Sequence, residues 1–510
     1  MKRLGVAVLA LVTSACGTTV PGATSSSTSA AEGTGGLGGP GAPLTAGGPA
    51  TAPGVTGGAP GVTTSGGGTS GTQPGATTTT STGGGSVGGT TASALRATYP
   101  GVTASSISIA VSVSGTGSGA GEQVGQAFGV AGFSSAPEKP LIQAMINHVN
   151  AQGGILGRKL VPVWHTIDAA DTRPYAEQSQ EACATYTEDN KVFAHLNVVS
   201  DETFFACMQQ RGTVGIERRV VGSDKVTRGF PSIFTVSDLD YTTALALTVR
   251  DLVQERFLTK TSVIGVLQTD TPDFDRVRKD GIERELARTG LHITKTYRVT
   301  PVQGTSDAAT AVRDAQAAVL QFASAGVDRV LFAQPNGALF DIAFMKQAEQ
   351  QGYRPDYGLS SHDGPVALVG GNAPAAQLDG SRGVGWGPYD DFTDVPKAQM
   401  SPAVARCLAV YKKAGVAPPN DRGQLNQYLG FCATYELFAA IARAAGPELT
   451  RSSFIAAGER LGRGFDDPFA ITGASLRSPG RHEGVTAWQP ITYVTSCDCY
   501  RPAGAVERLQ

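Results

Sequence analysis

Six histidines and seven cysteines carry most of this chain's capacity for nucleophilic, acid–base or metal chemistry, and their spacing argues against all three. No His-Glu-x-x-His pair or Walker loop occurs. His165, His195 and His292 fall in or beside strand-like runs, where a satisfied structural histidine is the ordinary case. His362 differs, because it stands beside Asp363 in SSHDG (360–364), which reads as a junction between elements. Setting Cys16 aside leaves six cysteines, an even number that suits disulfides in an oxidising compartment. Their arrangement suggests Cys183 with Cys207, Cys407 with Cys432, and Cys497 with Cys499. A metal site from Cys497, Cys499 and His482 is the alternative, but one Cys-x-Cys lacks a second cysteine pair at zinc spacing. The run GTGSGAG (115–121) follows a strand-like stretch and loosely matches a dinucleotide fingerprint. No convincing helical face follows it, and no clear strand-end acid stands ~20 residues on to hold a ribose. No catalytic residue, metal or cofactor is therefore expected.

A chain of 510 residues allows two or three folded units plus extra segments. With 41 Lys and Arg against 43 Asp and Glu, the formal charge is −2, so no positive field exists to hold a polyanion. Nucleic acid is not an expected partner. Lys2 and Arg3 precede a short apolar run at 4–12, too short to span a bilayer at ~20 residues. Small residues Thr13, Ser14 and Ala15 then lead to Cys16, a pattern that resembles the lipobox of bacterial lipoproteins, although Thr13 stands where that motif prefers Leu. The expectation is a signal peptide over 1–15 and lipidation of Cys16. Residues 16–95 are rich in Gly, Ser, Thr, Pro and Ala, with one charge, Glu32, before the final residues. Such a segment buries too little apolar surface to fold and reads as a disordered linker. Its typical span is on the order of 50 Å for ~80 residues, enough to carry a folded unit clear of a membrane surface.

The remaining residues alternate strand and helix, the pattern of an α/β protein with parallel sheets. The first run comprises strands at 106–113, 160–164, 192–196 and 215–221, with helices at 140–152, 175–189 and 201–211. A second run has strands at 262–267, 293–299 and 329–333, with helices at 241–256, 274–289, 306–325 and 339–351. Two similar lobes follow, with a change of lobe near TVSD (235–238) and a return near SSHDG before helices around 403–414 and 424–445. The expected division is 96–236 for the first part of lobe 1, 237–361 for the first part of lobe 2, 362–475 for the rest of lobe 1, and 476–510 for the end of lobe 2 and the tail.

Three stretches resemble the type I periplasmic-binding-protein fold in its branched-chain amino-acid-binding subgroup of ABC-transporter receptors. INHVNAQGGILGRKL (146–160) is similar to that subgroup's helix-end signature. VLQTDTPDFDRVRKDG (266–281) looks like the strand, loop and helix opening its second lobe, and DRVLFA (328–333) with SSHDG resembles the next strand and the return. The resemblance implies two Rossmann-like lobes joined by a three-crossover hinge, with a ligand held between them. Loop positions carried over from it are Ser114 and Thr116, Ser200 and Thr203, Ser223, Phe274 and Thr305, with His362 and Asp363 at the crossover. Ser200 and Ser223 suit helix capping as well as ligand contact, and Phe274 suits core packing as well. Phe274 stands where the family often has tyrosine, and Thr305 where branched-chain binders have a glutamate for the ligand's ammonium. The absence of a carboxylate there puts an ordinary amino-acid ligand in doubt unless Asp270, Asp307 or Asp363 serves. The function implied is an extracytoplasmic, membrane-anchored solute receptor delivering an amino-acid-like, amide or carboxylate ligand to an ABC permease. The alternative is a ligand sensor or surface-interaction protein on the same fold; neither is an enzyme.

Overall fold

A computed structural model describes residues 95–509 apart from 115–124, 126–135, 169–170, 172, 197–200, 221, 303–306, 336 and 474–475. The expected signal peptide, Cys16 and nearly all of the linker lie outside the described residues. No described helix is long and apolar enough to cross a membrane.

The first sheet has five parallel strands in the order β2-β1-β3-β4-β5: β1 (Ser106–Ser114), β2 (Lys159–Ile167), β3 (Ala194–Leu196), β4 (Val214–Glu217) and β5 (Ile233–Thr235). Helix α1 (Glu138–Ala151) buries Leu141, Ile142, Met145, Ile146 and Val149, the stripe that the helical period sets. It stops at Gly153 and Gly154, both with positive φ, and a Cβ on Gly154 would sit 2.1 Å from the Arg158 carbonyl oxygen. Helices α2 (Tyr175–Ala184), α3 (Glu202–Gln210) and α4 (Asp224–Gly229) complete this run.

After β5 the chain leaves the first sheet and forms α5 (Tyr241–Gln254), then β6 (Ile264–Thr269) and α6 (Pro272–Arg276). The helix continues through a widened turn, Val277–Glu283, into α7 (Arg284–Arg288). Strands β7 (Lys295–Val299), β8 (Arg329–Ala333) and β9 (Asp356–Ser360) alternate with α8 (Ala308–Ser324) and α9 (Ala338–Gln350). The return comes later than the expected boundary at 362. A short strand, β10 (Arg382–Gly385), pairs in parallel with β9 and antiparallel with β13 (Ala487–Val494), so it still belongs to the second sheet. Its glycine-rich sequence carries no strand alternation, which is why the pattern passes over it.

Beyond β10, helices α10 (Pro402–Lys413), α11 (Arg422–Ala445) and α12 (Arg451–Arg460) rejoin the first sheet. Leu429, Phe438 and Phe454 share one buried cluster with Ile107, Ile109 and Phe193. The hairpin β11 (Leu476–Ser478) and β12 (Arg481–Gly484) also stays with the first sheet, where His482 stacks on Phe234 at 4.1 Å. The expected boundary at 476 therefore moves to β13, which runs with β14 (Cys499–Pro502) along the edge of the second sheet. The result is two α/β lobes with mainly parallel sheets and three chain crossings, at 236–240, 386–401 and 485–486.

Sγ atoms lie 2.01 Å apart in Cys183–Cys207, 2.08 Å in Cys407–Cys432 and 2.03 Å in Cys497–Cys499. The first pair ties α2 to α3 and the second ties α10 to α11. Closing a segment of 25 residues in the unfolded chain is worth about 3 kcal/mol. Replacing Cys407 and Cys432 together by alanine is expected to lower unfolding free energy by about that amount; an unchanged melt under non-reducing conditions would show that the pair is not closed.

Candidate functional site

Strand ends of both sheets, and two of the chain crossings, converge on one buried carboxylate. Asp238, in the first crossing, is 2% exposed. Its Oδ1 accepts from His362 Nε2 at 3.0 Å, from Trp386 Nε1 at 3.2 Å and from the Leu239 amide at 3.0 Å, while Oδ2 accepts from the Val220 amide at 3.0 Å. His362 follows β9, and Trp386 opens the second crossing. The third crossing joins through the backbone, where the Asp238 amide donates to the Glu483 carbonyl at 3.0 Å. Burial alone would raise the Asp238 carboxyl, but the charge and hydrogen bond of His362, then Arg219 and Arg218, bring it down to about 2. Tyr241 stacks on the His362 ring at 4.0 Å, and Phe274 packs edge-on against Tyr241 at 5.2 Å.

A second ion cluster flanks the first. Arg218 and Arg219, directly after β4, each donate Nη2 to Asp390 at 2.8 Å, and Asn426 of α11 adds a hydrogen bond at 2.5 Å. Despite burial, these cations hold Asp390 below the usual carboxylate range. Neighbouring Asp391 accepts from the Gly387 amide at 3.2 Å, yet burial pushes its carboxyl well up. Asp363 accepts from the Ser360 amide at 2.6 Å and hydroxyl at 3.0 Å, closing a capping box. Burial lifts Asp363 to about 6, and Asp341, buried beside it, is held far higher by burial and by the Asp363 charge.

The lobes also meet directly. Asp273 of α6 accepts from the Ser223 amide at 2.8 Å and from the Ser223 hydroxyl at 2.5 Å, so both of its oxygens are engaged across the gap. Gly222 allows this approach, since a Cβ there would lie 2.8 Å from Asp273 Oδ2.

Of the residues singled out from sequence, Phe274, His362 and Asp363 gather around this junction, and Ser223 touches it through Asp273. Phe274 is 4% exposed and shares a core cluster with Val277 and Ile282, so core packing is part of its role. Ser223 also caps α4. Thr203 lies half-buried in the first turn of α3, where Asp201 rather than Thr203 is the cap. Ser114 is the last residue of β1, paired with Ile167; its side chain, together with Thr116, Ser200 and Thr305, lies outside the described residues. Asp270 is exposed and paired with Arg298. Sequence reasoning missed Asp238 as a side chain, along with Tyr241, Trp386 and the Arg218–Arg219–Asp390 cluster. The run WGPYDD (386–391), two acids after an aromatic residue and a proline, was the signal for part of it.

Two α/β lobes tied by crossings at a buried polar junction are the architecture of a clamp. The periplasmic binding protein family model matches residues 124–494, more than two-thirds of the chain. The chain belongs to this family. It is a type I periplasmic binding protein, and its family comprises solute-binding proteins rather than enzymes. Among curated proteins, no sequence matches. Solved structures share the fold. A valine-bound branched-chain amino acid ABC transporter protein from Thermus thermophilus superposes with TM-score 0.56 at 15% identity, covering 79% of this chain and 97% of that one. A fatty acid ABC transporter substrate-binding protein from Thermomonospora curvata gives 0.54 at 18%, covering 81% and 93%. A solute-binding protein from R. palustris in complex with 4-hydroxybenzoate gives 0.54 at 14%, covering 79% and 97%.

Asp240 makes the junction's electrostatics testable in this binding protein. It caps α5 through the Thr243 amide at 2.9 Å, and burial raises its carboxyl to about 6. Its unfolded value is about 4, so the folded state holds the extra proton between those limits, and stability falls as pH rises through about 4 to 6. Asparagine keeps the cap without ionising. Asp240→Asn is expected to be about 1–3 kcal/mol more stable than the parent at pH 7.5, with the difference gone at pH 4. Denaturant unfolding at both pH values checks this.

Proposed function

We propose that the chain is the extracytoplasmic receptor of an ABC uptake system, trapping a small amino-acid-like, amide or carboxylate solute between its lobes. The observation that carries this reading is the contact across the gap: Ser223 of one lobe meets Asp273 of the other beside the Tyr241–Phe274 ring pair. In open α/β sheets, ligands bind beyond the carboxyl ends of strands, and β4, β5, β6 and β9 all end near this place. Closure over a solute strips its water and strengthens each polar contact to it. The closed and open shapes differ by a hinge motion, which a permease can distinguish. Phe274 and His362 supply aromatic surface in this reading, with Ser223 and Asp363 as polar flanks and Ser114, Thr116, Ser200, Thr203 and Thr305 as further ligand contacts. The solved neighbours include a valine-bound protein, a fatty acid transporter's binding protein and a 4-hydroxybenzoate complex, so the fold accommodates apolar acids as well as an amino acid. We also propose that Cys16 is lipidated and that the Gly- and Ser-rich segment tethers the receptor to the membrane.

Mass spectrometry of small molecules retained by full-length protein purified without refolding tests the receptor reading. A solute that binds only the folded state adds about 2.7 kcal/mol of stability at a hundred times its Kd, so adding the retained compound back should raise Tm by several degrees. No retained compound, and no shift from a panel of amino acids, amides and short carboxylates, would contradict it. For the anchor, Cys16→Ser is expected to move the protein from the membrane fraction to the medium; unchanged fractionation would contradict lipidation.

A further inference from the structure

Among the described residues, the three disulfides differ in what they hold and in what can reach them. Cys183 of α2, Cys407 of α10 and Cys432 of α11 are fully buried, and their bonds tie one helix to another across 24 and 25 positions. The Cys497–Cys499 bond spans two positions in a single turn. Cys497 is exposed, alone among the described cysteines, while Cys499 at the start of β14 is buried.

That turn has other ties. Asp498, in the left-handed region at φ 45°, accepts from the Gly370 amide at 3.0 Å through one oxygen and from the Tyr493 hydroxyl at 2.8 Å through the other. Thr495 donates to Asp379 at 3.1 Å, and Val494 faces Cys499 in the antiparallel ladder of β13 and β14. These contacts hold both cysteines in place whichever state their sulfurs are in. Closing so short a segment also removes little entropy from the unfolded chain, because the gain grows with loop length. A thiol formed at Cys497 has an acceptor at hand, since its Sγ lies 3.4 Å from the Val494 carbonyl oxygen. A bond that adds little stability and ends on a sulfur open to solvent can be reduced without unfolding the chain.

We propose that Cys497–Cys499 is a thiol–disulfide exchange site that accepts two electrons from an external dithiol. A thiolate of that dithiol attacks the exposed Cys497 sulfur and forms a mixed disulfide; the Cys497–Cys499 bond breaks, and Cys499 leaves as a thiolate that takes a proton from water. The second thiol of the dithiol loses its proton and attacks its own partner sulfur in the mixed disulfide, releasing Cys497, which is protonated in turn. The dithiol ends as a disulfide and the two protein sulfurs as thiols, with two electrons and two protons transferred. None of the residues in this turn takes part in the junction around Asp238, so the inference does not rest on the solute-receptor reading.

The test treats the native full chain with dithiothreitol, samples it over time, traps free thiols with N-ethylmaleimide in denaturant and reads each cysteine peptide by mass spectrometry. Cys497 and Cys499 should be trapped together, at least about ten-fold faster than the cysteines of either helix-tying pair. Thermal melts of protein reduced at this pair alone should show a smaller fall in Tm than replacing Cys407 and Cys432 causes. A monothiol, reduced glutathione, should add to Cys497 and leave Cys499 free. The double variant Cys497→Ser with Cys499→Ser should lose the fast phase of dithiothreitol oxidation. Reduction of this pair no faster than the buried pairs, or only as the chain unfolds, would overturn the inference. So would glutathione added to Cys499 instead, or trapping of Cys497 and Cys499 before any reductant is present, which would mean that no bond exists to exchange. The rates are read on the parent chain and stay decisive if the double variant fails to fold.

Discussion

One carboxylate holds the junction of this molecule together. A buried Asp is costly unless its charge is paired and its lone pairs are filled, and Asp238 meets both conditions with donors drawn from separate segments of the chain. His362 arrives from the end of β9, Trp386 from the start of the next crossing, and Val220 from the loop after β4. Each donor comes from a segment that must change direction there, so filling the lone pairs of one side chain fixes the relative paths of those segments. Removing the carboxylate would leave a buried imidazole and indole N–H without their acceptor, which is more costly than losing an isolated surface pair.

The polar junction leaves the lobes able to meet elsewhere through lighter contacts. Ser223 and Asp273 join across the gap through two hydrogen bonds and no apolar core. Hydrogen bonds of this kind exchange readily with water, so they suit a contact that forms on closing and breaks on opening. The Phe274 ring, next in sequence to Asp273, packs on Tyr241, and Tyr241 stacks on His362. The Tyr241 and Phe274 rings are both buried, with Tyr241 packed between His362 and Phe274.

Much of the fold was legible in the sequence because its signals are local. The α1 stripe and its glycine stop can be read from residues 141–154 alone, and the alternation of strand and helix gives the parallel sheets directly. The misplaced boundaries have a common cause. β10 is RGVG, four residues with almost no side-chain pattern, and it is a strand only because β9 and β13 lie on either side of it. The hairpin at 476–484 likewise follows the first sheet because His482 finds Phe234, a partner 248 positions earlier.

The site was less legible for the same reason. Phe274, His362 and Ser223 stand out by position in loops, but Asp238 owes its role to partners 124 and 148 residues away. No local pattern distinguishes it from Asp240, two residues on, whose environment drives its carboxyl in the opposite direction.

The junction therefore requires Asp238 and His362 to act as a unit. A double-mutant cycle on unfolding free energy, using Asp238→Asn, His362→Gln and the pair, measures that directly. The structure predicts a coupling of at least about 1.5 kcal/mol; additivity within about 0.5 kcal/mol would mean the two side chains are independent and the junction is held some other way.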